Sequence, residues 1–381
     1  MFEEQKQEPI EKEGKPDDRG AKVEQEIVQS PHRQVAPGKP VAVHDSSLAQ
    51  QCHGSNGRLS RDKNTDGSPR MTEIVWNDAS QIEWRQALSA CGRSTVEQCW
   101  GYGEASAANG FTVDRGLVVD GNETMGMVQA FTKRFVGLAT VTQIIRGPLW
   151  LGEAPSLEAQ RPILAHLRQR FTKGRLRFVY WLPELHDTPE SLRAVRRVKL
   201  RRIMTGYASA WVDLSPAVDE IVANLSGTWR NQLRRAEKEK LKVAVTNGGQ
   251  DLDVLLTRHD ENRKRRGFGG PNGRFIRALI EGTADRQDAL IVTARKAREP
   301  VAGILMLRHG ESATYYAGWT TEDGRAAYAH NLLLWRAATT LKKTGVHWLD
   351  VGGLDTTNAA GIARFKLGLG GDVFTLTGSY L

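Results

Sequence analysis

Between residues 72 and 381 the chain runs twice through the same order of apolar patterns, and this repetition constrains the possible folds more than any other feature. In the first pass, 78–90 and 95–109 carry apolar residues near helical spacing. Strand patterns follow at 116–120, 125–132 and 136–145, the first two joined by the turn signal Asp120-Gly121-Asn122. An amphipathic helix over 156–171, a strand over 177–182, an arginine-rich helix over 191–203 and a strand over 208–214 complete it. In the second pass, helices over 215–225 and 227–241 lead to a strand over 242–246, then helices over 252–264 and 273–283. A three-strand meander follows (289–294, 301–309, 313–318), then a long helix over 330–344 that stops at Gly345. A strand over 348–351 and a closing strand over 373–377 end the chain. The expectation is an α/β protein built from a repeated unit of roughly 150 residues, a common domain size. Its domains would span 71–225 and 226–381, each a mixed, mostly antiparallel sheet flanked by helices.

Residues 1–70 do not fit the repeat. They hold one aromatic, Phe2, and are rich in Glu, Lys, Gln, Pro, Ser and Gly. Such a segment cannot bury enough apolar surface to offset the entropy of ordering it, so a disordered tail is expected. Met71 is a candidate translation start, which mass spectrometry of the native N-terminus would decide. Charge in this tail is nearly balanced, 11 Lys+Arg against 12 Asp+Glu, so the repeated body carries a net +10 within the chain's net +9. A basic body suits an anionic partner such as RNA, nucleotide phosphates or a membrane surface. The three cysteines, Cys52, Cys91 and Cys99, form no CxxC pair and suggest neither a disulfide framework nor a zinc site. The nine histidines lack metal-ligand spacing, so no metal or cofactor is expected. No apolar run is long enough to span a bilayer and no secretory signal opens the chain, which points to the cytoplasm.

Chemistry-bearing residues cluster in the second unit. Gly361 to Gly371 reads Gly-Ile-Ala-Arg-Phe-Lys-Leu-Gly-Leu-Gly-Gly, placing Phe365 and Lys366 among four glycines. Two readings stand: a helix-to-strand turn with a solvated lysine, or a backbone able to approach a ligand closely beside a mobile cation. Asp350 and Asp355 flank the Gly352-Gly353 turn just upstream, and Asp350 is a candidate base or a strand-end hydrogen-bond acceptor. In the helix that opens the unit, Arg230, Arg234 and Lys238 share one face at four-residue spacing, with Arg235 adjacent. Arginines suit bidentate phosphate binding, and a solvated basic face is the alternative. A second basic run, Arg258 to Arg266, could meet RNA backbone or simply complement a helix C-terminus.

The order of elements resembles that of the acyl-CoA-binding acetyltransferases (GNAT). They grip the CoA pyrophosphate with an RxxGxG/A turn at a helix N-terminus. Here the corresponding run is Gly324-Arg325-Ala326-Ala327-Tyr328-Ala329-His330-Asn331; the arginine is present and the glycines are missing. Several spaced elements together resemble the C-terminal half of the FemAB family. They are Tyr315-Tyr316-Ala317-Gly318-Trp319, Asn331-Leu332-Leu333-Leu334-Trp335, Leu349-Asp350-Val351-Gly352-Gly353, and Gly361-Ile362 with Phe365-Lys366-Leu367-Gly368. Trp100-Gly101-Tyr102-Gly103 and Arg146-Gly147-Pro148-Leu149 are similar to first-domain landmarks of that family.

The resemblance covers about residues 75–381 and implies two tandem acetyltransferase-like domains that work without acetyl-CoA. It implies transfer of an amino acid from aminoacyl-tRNA to an amine of a peptidoglycan precursor, lipid-linked or nucleotide-linked. Peripheral contact with the inner membrane face is part of that expectation, and DNA is not. Lys366 and Asp350 would be catalytic. Phe365, Arg230, Arg234, Arg235, Tyr316 and Asn331 would bind substrate. The competing readings are an acyl-CoA- or acyl-carrier-dependent N-acyltransferase of envelope polysaccharide synthesis, and a non-catalytic RNA- or membrane-surface-binding protein.

Overall fold

The computed structural model describes residues 72–135, 139–267 and 269–381. The expectations for 1–70, for Met71 and for Cys52 lie outside the described residues. The first half opens with β1 (Thr72–Trp76), α1 (Gln81–Ala90) and α2 (Trp100–Ala108). The meander β2 (Thr112–Asp120), β3 (Glu123–Arg134) and β4 (Thr140–Ile145) follows, and a short β5 (Leu149–Trp150) pairs back onto β3. Then come α3 (Leu157–Thr172), β6 (Arg177–Leu182), α4 (Pro189–Arg197), β7 (Arg202–Met204) and β8 (Ala208–Asp213). The second half has α5 (Val218–Asn224), α6 (Gly227–Lys238), β9 (Leu241–Thr246), α7 (Gly249–Arg266) and α8 (Gly273–Glu281). Its meander is β10 (Ala289–Lys296), β11 (Glu299–His309) and β12 (Ser312–Thr320). After it come α9 (Glu322–Ala326), α10 (Ala329–Lys343), β13 (Trp348–Asp350), α11 (Ala360–Leu367), β14 (Asp372–Thr375) and β15 (Ser379–Tyr380).

Helix starts follow local chemistry. Ser80 and Glu83 form a reciprocal capping box on α1, and Ser226 caps α6 by accepting from the Trp229 amide. Two sequence expectations are corrected. The helix expected over 191–203 ends at Arg197, because Lys199 adopts a left-handed φ of 59° and the chain re-enters a strand at Arg202. The glycine-rich stretch is not a turn around Phe365 and Lys366: both lie on α11, with the turn deferred to Gly368–Gly371.

The strands form two sheets. The first runs β1-β2-β3-β4-β6-β15-β7 and the second β14-β8-β13-β12-β11-β10-β9. The halves therefore exchange their last strands. β8, contributed before residue 226, pairs with β13 and β14 in the second sheet, while the C-terminal β15 pairs with β6 and β7 in the first. Each sheet has its own core, around Trp181 and Leu167 in the first and Val292, Ile304 and Leu333 in the second. A further core is shared: Trp84 and Tyr102 cluster with Leu255, Ile276 and Leu305. A buried side chain of this size contributes about 1.5–3 kcal/mol, so this shared cluster holds the halves as one body. Among the described residues, no helix is long and apolar enough to cross a membrane.

Candidate active site

Each sheet contains a parallel seam, and the two seams differ. In the first half β4 and β6 pair over six residues, Thr140↔Arg177 to Ile145↔Leu182, and the seam is closed. In the second half β12 and β13 pair over three, ending at Thr314↔Asp350. Beyond that point β12 continues to Thr320 against β11 alone, while the other strand turns away at Gly352 (φ 72°). A parallel ladder that parts in mid-sheet leaves unpaired backbone, which a ligand or side chain must satisfy. A bulge in β12 adds to this: Leu305 pairs with Ala317 and Met306 with Tyr315, so Tyr316 is the extra residue.

Lys366 and Asp350 meet at the parting point. Lys366 is buried, not solvated: its Nζ donates to the Gly353 carbonyl at 2.8 Å and lies 5.4 Å from the centre of the Tyr315 ring. Burial pulls its pKa down to about 8, with the Asp350 carboxylate pushing the other way. Asp350 is fully buried. Its Oδ2 accepts from Arg146 Nη1 at 2.6 Å, and its Oδ1 accepts from Ser209 Oγ at 2.5 Å and from the Gly352 amide at 2.8 Å. Burial would raise its pKa, but Arg146 and these donors outweigh that and hold the carboxyl below its ordinary range. Three donors already engage this fully buried carboxylate, which suits it to a structural anchor. It anchors the Gly352-Gly353 turn that presents a carbonyl to Lys366.

The open seam borders a cavity of about 740 Å³, within the usual range for small-molecule sites. Tyr315 lines it; Lys366 is behind that ring and is not itself part of the wall. Three arginines reach the wall, Arg258 and Arg265 from α7 and Arg325 from α9. The start of α10 supplies His330 and Asn331, and helix N-termini present free amides to anions. His330 Nε2 donates to the Trp319 carbonyl at 3.0 Å, which leaves Nδ1 as the ring's acceptor. Phe365 and Ile362 from α11 complete the apolar side, with Phe365 stacked on Trp229 at 6.2 Å.

Gly318 makes room for this geometry: a Cβ there would sit 2.1 Å from the Tyr315 hydroxyl. Gly318→Ala should therefore drive the Tyr315 ring aside at a strain cost of about 1–3 kcal/mol. Borne by the bound state, that strain weakens ligand binding in the cavity by about tenfold or more. Steady-state kinetics would show it as a raised KM for the molecule bound there, and an unchanged KM would mean that the ring does not shape the cavity.

The expected site residues separate into groups. Phe365 and Asn331 are at the cavity, and Asn331 Nδ2 donates to Gln232 Oε1 at 3.3 Å across its wall. Arg235 reaches its rim through Tyr328, donating to the phenol at 3.4 Å. Arg230 and Arg234 lie on α6 away from the wall. Tyr316 is a correction: the bulge turns it to the opposite face, against the core shared by the halves, and Tyr315 takes the cavity side. Arg258 and Arg265 were visible only as an ambiguous basic run, although their spacing of seven residues already places them on one helix face.

Residues 223–367 match the family model described as an acetyltransferase (GNAT) domain. Among solved structures, the chain is similar to the crystal structure of FemX, with a TM-score of 0.68 over 81% of this chain and 96% of that one, at 14% identity. It is also similar to a conserved protein of unknown function from Bacteroides thetaiotaomicron VPI-5482, with a TM-score of 0.52 over 81% of this chain and 100% of that one, at 13% identity. The second half of the chain thus carries a GNAT-like domain, within a two-sheet α/β fold like that of FemX. At these identities the likeness speaks to fold and not to substrate. None of the curated proteins matches the chain in sequence. Within the GNAT model's span lie the open seam, the three cavity arginines and Lys366.

Proposed function

We propose that this protein is an aminoacyltransferase that moves an amino acid from aminoacyl-tRNA to an amine of a peptidoglycan precursor. The observation that carries the reading is the arginine-rimmed cavity at the open seam, joined to a helix start without the glycines of a CoA-pyrophosphate turn. Arg258, Arg265 and Arg325 suit a polyanionic donor. Tyr328, which precedes α10, takes a left-handed φ of 50° where a glycine would sit without strain. Phe365 offers a ring on which a terminal base can stack. The resemblance of the spaced motifs to the FemAB family supports the choice of donor and acceptor.

The chemistry needs no covalent intermediate, because the donor ester is already activated. The acceptor amine attacks the ester carbonyl, a C–N bond forms, and negative charge develops on the carbonyl oxygen. The stabilising charge is assigned to the Lys366 ammonium, which is buried behind the Tyr315 ring and acts across the low-dielectric wall, where a charge acts more strongly than in water. Collapse breaks the C–O bond, and the ribose hydroxyl leaves with the proton that the amine gives up. Asp350 and Arg146 position, and Phe365, Asn331 and the arginines bind.

This role gives a pH dependence with a definite sign. Only protonated Lys366 is a cation, and its pKa lies at about 8. Turnover should therefore fall as pH rises through about 8. Single-turnover rates corrected for spontaneous ester hydrolysis would show it, and a flat profile from pH 7 to 9 would contradict it.

A second reading has a specific observation in its favour. The match of residues 223–367 to an acetyltransferase (GNAT) domain favours an acyl thioester such as acyl-CoA as donor, with an envelope polysaccharide precursor as the acceptor this reading proposes. Binding separates the two. An RNA minihelix ending in CCA should bind with an affinity that falls steeply with salt and should be displaced poorly by coenzyme A. Tight coenzyme A binding without RNA binding would favour the second reading.

A further inference from the structure

We propose that Arg146, on the first half of the chain, is a positioning residue for the acyl-transfer site on the second. It acts by holding the Asp350 carboxylate that fixes the Gly352-Gly353 turn beneath Lys366. The inference deepens the aminoacyltransferase reading and rests on it for the word acyl transfer. The geometry of the link stands by itself.

Arg146 follows the last residue of β4 and has 1% of its surface exposed. Its guanidinium is forked between two carboxylates. Nε and Nη2 donate to Glu184 at 2.8 Å each, and Nη1 donates to Asp350 at 2.6 Å. Glu184 is 38 residues away in sequence and Asp350 is 204. A planar fork with donors on both edges grips Glu184 bidentately while reaching Asp350; a lysine ammonium has three donors but cannot reproduce that geometry. The backbone is held at a φ of 52°, a left-handed conformation costly for a residue with a Cβ. A buried charge kept in a strained conformation needs compensation, and here each carboxylate partner supplies part of it.

The chain of contacts then runs to the site without a gap. Arg146 holds Asp350 Oδ2, Asp350 Oδ1 accepts from the Gly352 amide, and the next carbonyl, Gly353, accepts from Lys366 Nζ. Misplacement of a catalytic group by about 1 Å can cost a hundredfold in rate. Two titratable side chains face Lys366: Asp350 from β13 and Tyr315 from β12. Around Asp350 and Arg146 the ionisable groups are Glu184, Glu97, Tyr207 and His309.

The test compares Arg146→Lys and Arg146→Met with wild type in full-length protein. It uses kcat, KM, the pH profile, and competitive acetylation of Lys366 by acetic anhydride read by peptide mass spectrometry. Arg146→Lys keeps a cation but loses the fork. It should lower kcat about tenfold with KM for both substrates within about twofold. Arg146→Met leaves Asp350 unpaired in a buried site and favours its neutral form. The carboxylate then no longer supports the Lys366 ammonium, so the alkaline limb of kcat and the Lys366 labelling midpoint should both move below about 8. A merely structural role would lower the folded fraction and move neither midpoint. Should Arg146→Met fail to fold, Arg146→Lys decides: wild-type kcat and labelling in a folded variant overturn the proposal. The labelling readout needs no acyl transfer. Absence of transfer by the wild type would therefore overturn the aminoacyltransferase reading, while a shifted Lys366 midpoint would still support the link.

Discussion

Replacing Lys366 with methionine should lower turnover by about 10²–10³-fold and leave the protein folded. The magnitude is that of losing one oxyanion-stabilising group in a desolvated site. Methionine keeps lysine's unbranched, flexible stem, one atom shorter and uncharged, and can lie against the Tyr315 ring. It leaves the Gly353 carbonyl without its 2.8 Å donor, which costs about 1–3 kcal/mol. An opposing gain accompanies that loss. The folded-state pKa of Lys366, about 8, lies below the ordinary lysine value of 10.5. Below about pH 8 the folded protein therefore carries the full cost of a buried ammonium, and that cost is relieved as pH rises toward 10.5. Methionine removes the cost, so stability near pH 7 should change little. Lys366→Arg should not restore activity, because a guanidinium is too broad for a site that admits one hydrogen bond to Gly353. Single-turnover rates beside urea midpoints would separate chemistry from folding. Turnover within twofold of wild type in a folded Lys366→Met protein would remove the lysine from the mechanism.

Asp350→Asn should act mainly on stability, by about 3–5 kcal/mol, the cost of breaking a buried ion pair from one side. The carboxylate is fully buried, and three donors converge on it. An asparagine can accept through one oxygen only, and its amide would point two hydrogens at donors. Arg146 would keep Glu184 and lose its second carboxylate. A urea-melt midpoint shifted well below wild type is the expected result. If instead the variant melts like wild type and has lost turnover by several orders of magnitude, Asp350 is a reacting base and the anchor account fails.

These two residues also show where sequence reading succeeds and where it stops. The tandem order was legible because helix and strand periodicity is local, and the long helix, now α10, and the meander β10–β12 fell within a few residues of their expected places. The exchange of β8 and β15 was not legible, since sheet membership depends on partners more than a hundred residues away. Lys366 stood out by its glycine neighbours, yet its burial did not. A lysine flanked by glycines reads as solvated until its place beside the Tyr315 ring and its bond to the Gly353 carbonyl are known. That Tyr315 and not Tyr316 takes the cavity side was not legible, because a one-residue bulge, invisible in strand propensity, decides which face each ring takes. Arg146 appeared only as part of a turn-like landmark, because nothing local announces a partner 204 residues further on.

The central claim is that the cavity at the open seam accepts an aminoacyl ester carried by RNA. The direct measurement is transfer of radiolabelled amino acids from a pool of charged tRNAs to lipid-linked and nucleotide-linked muropeptides, run in parallel with radiolabelled acyl-CoA. The account predicts label in the muropeptide from charged tRNA, abolished by Lys366→Met and unaffected by excess coenzyme A. Label arriving from acyl-CoA, with none from charged tRNA, would contradict it.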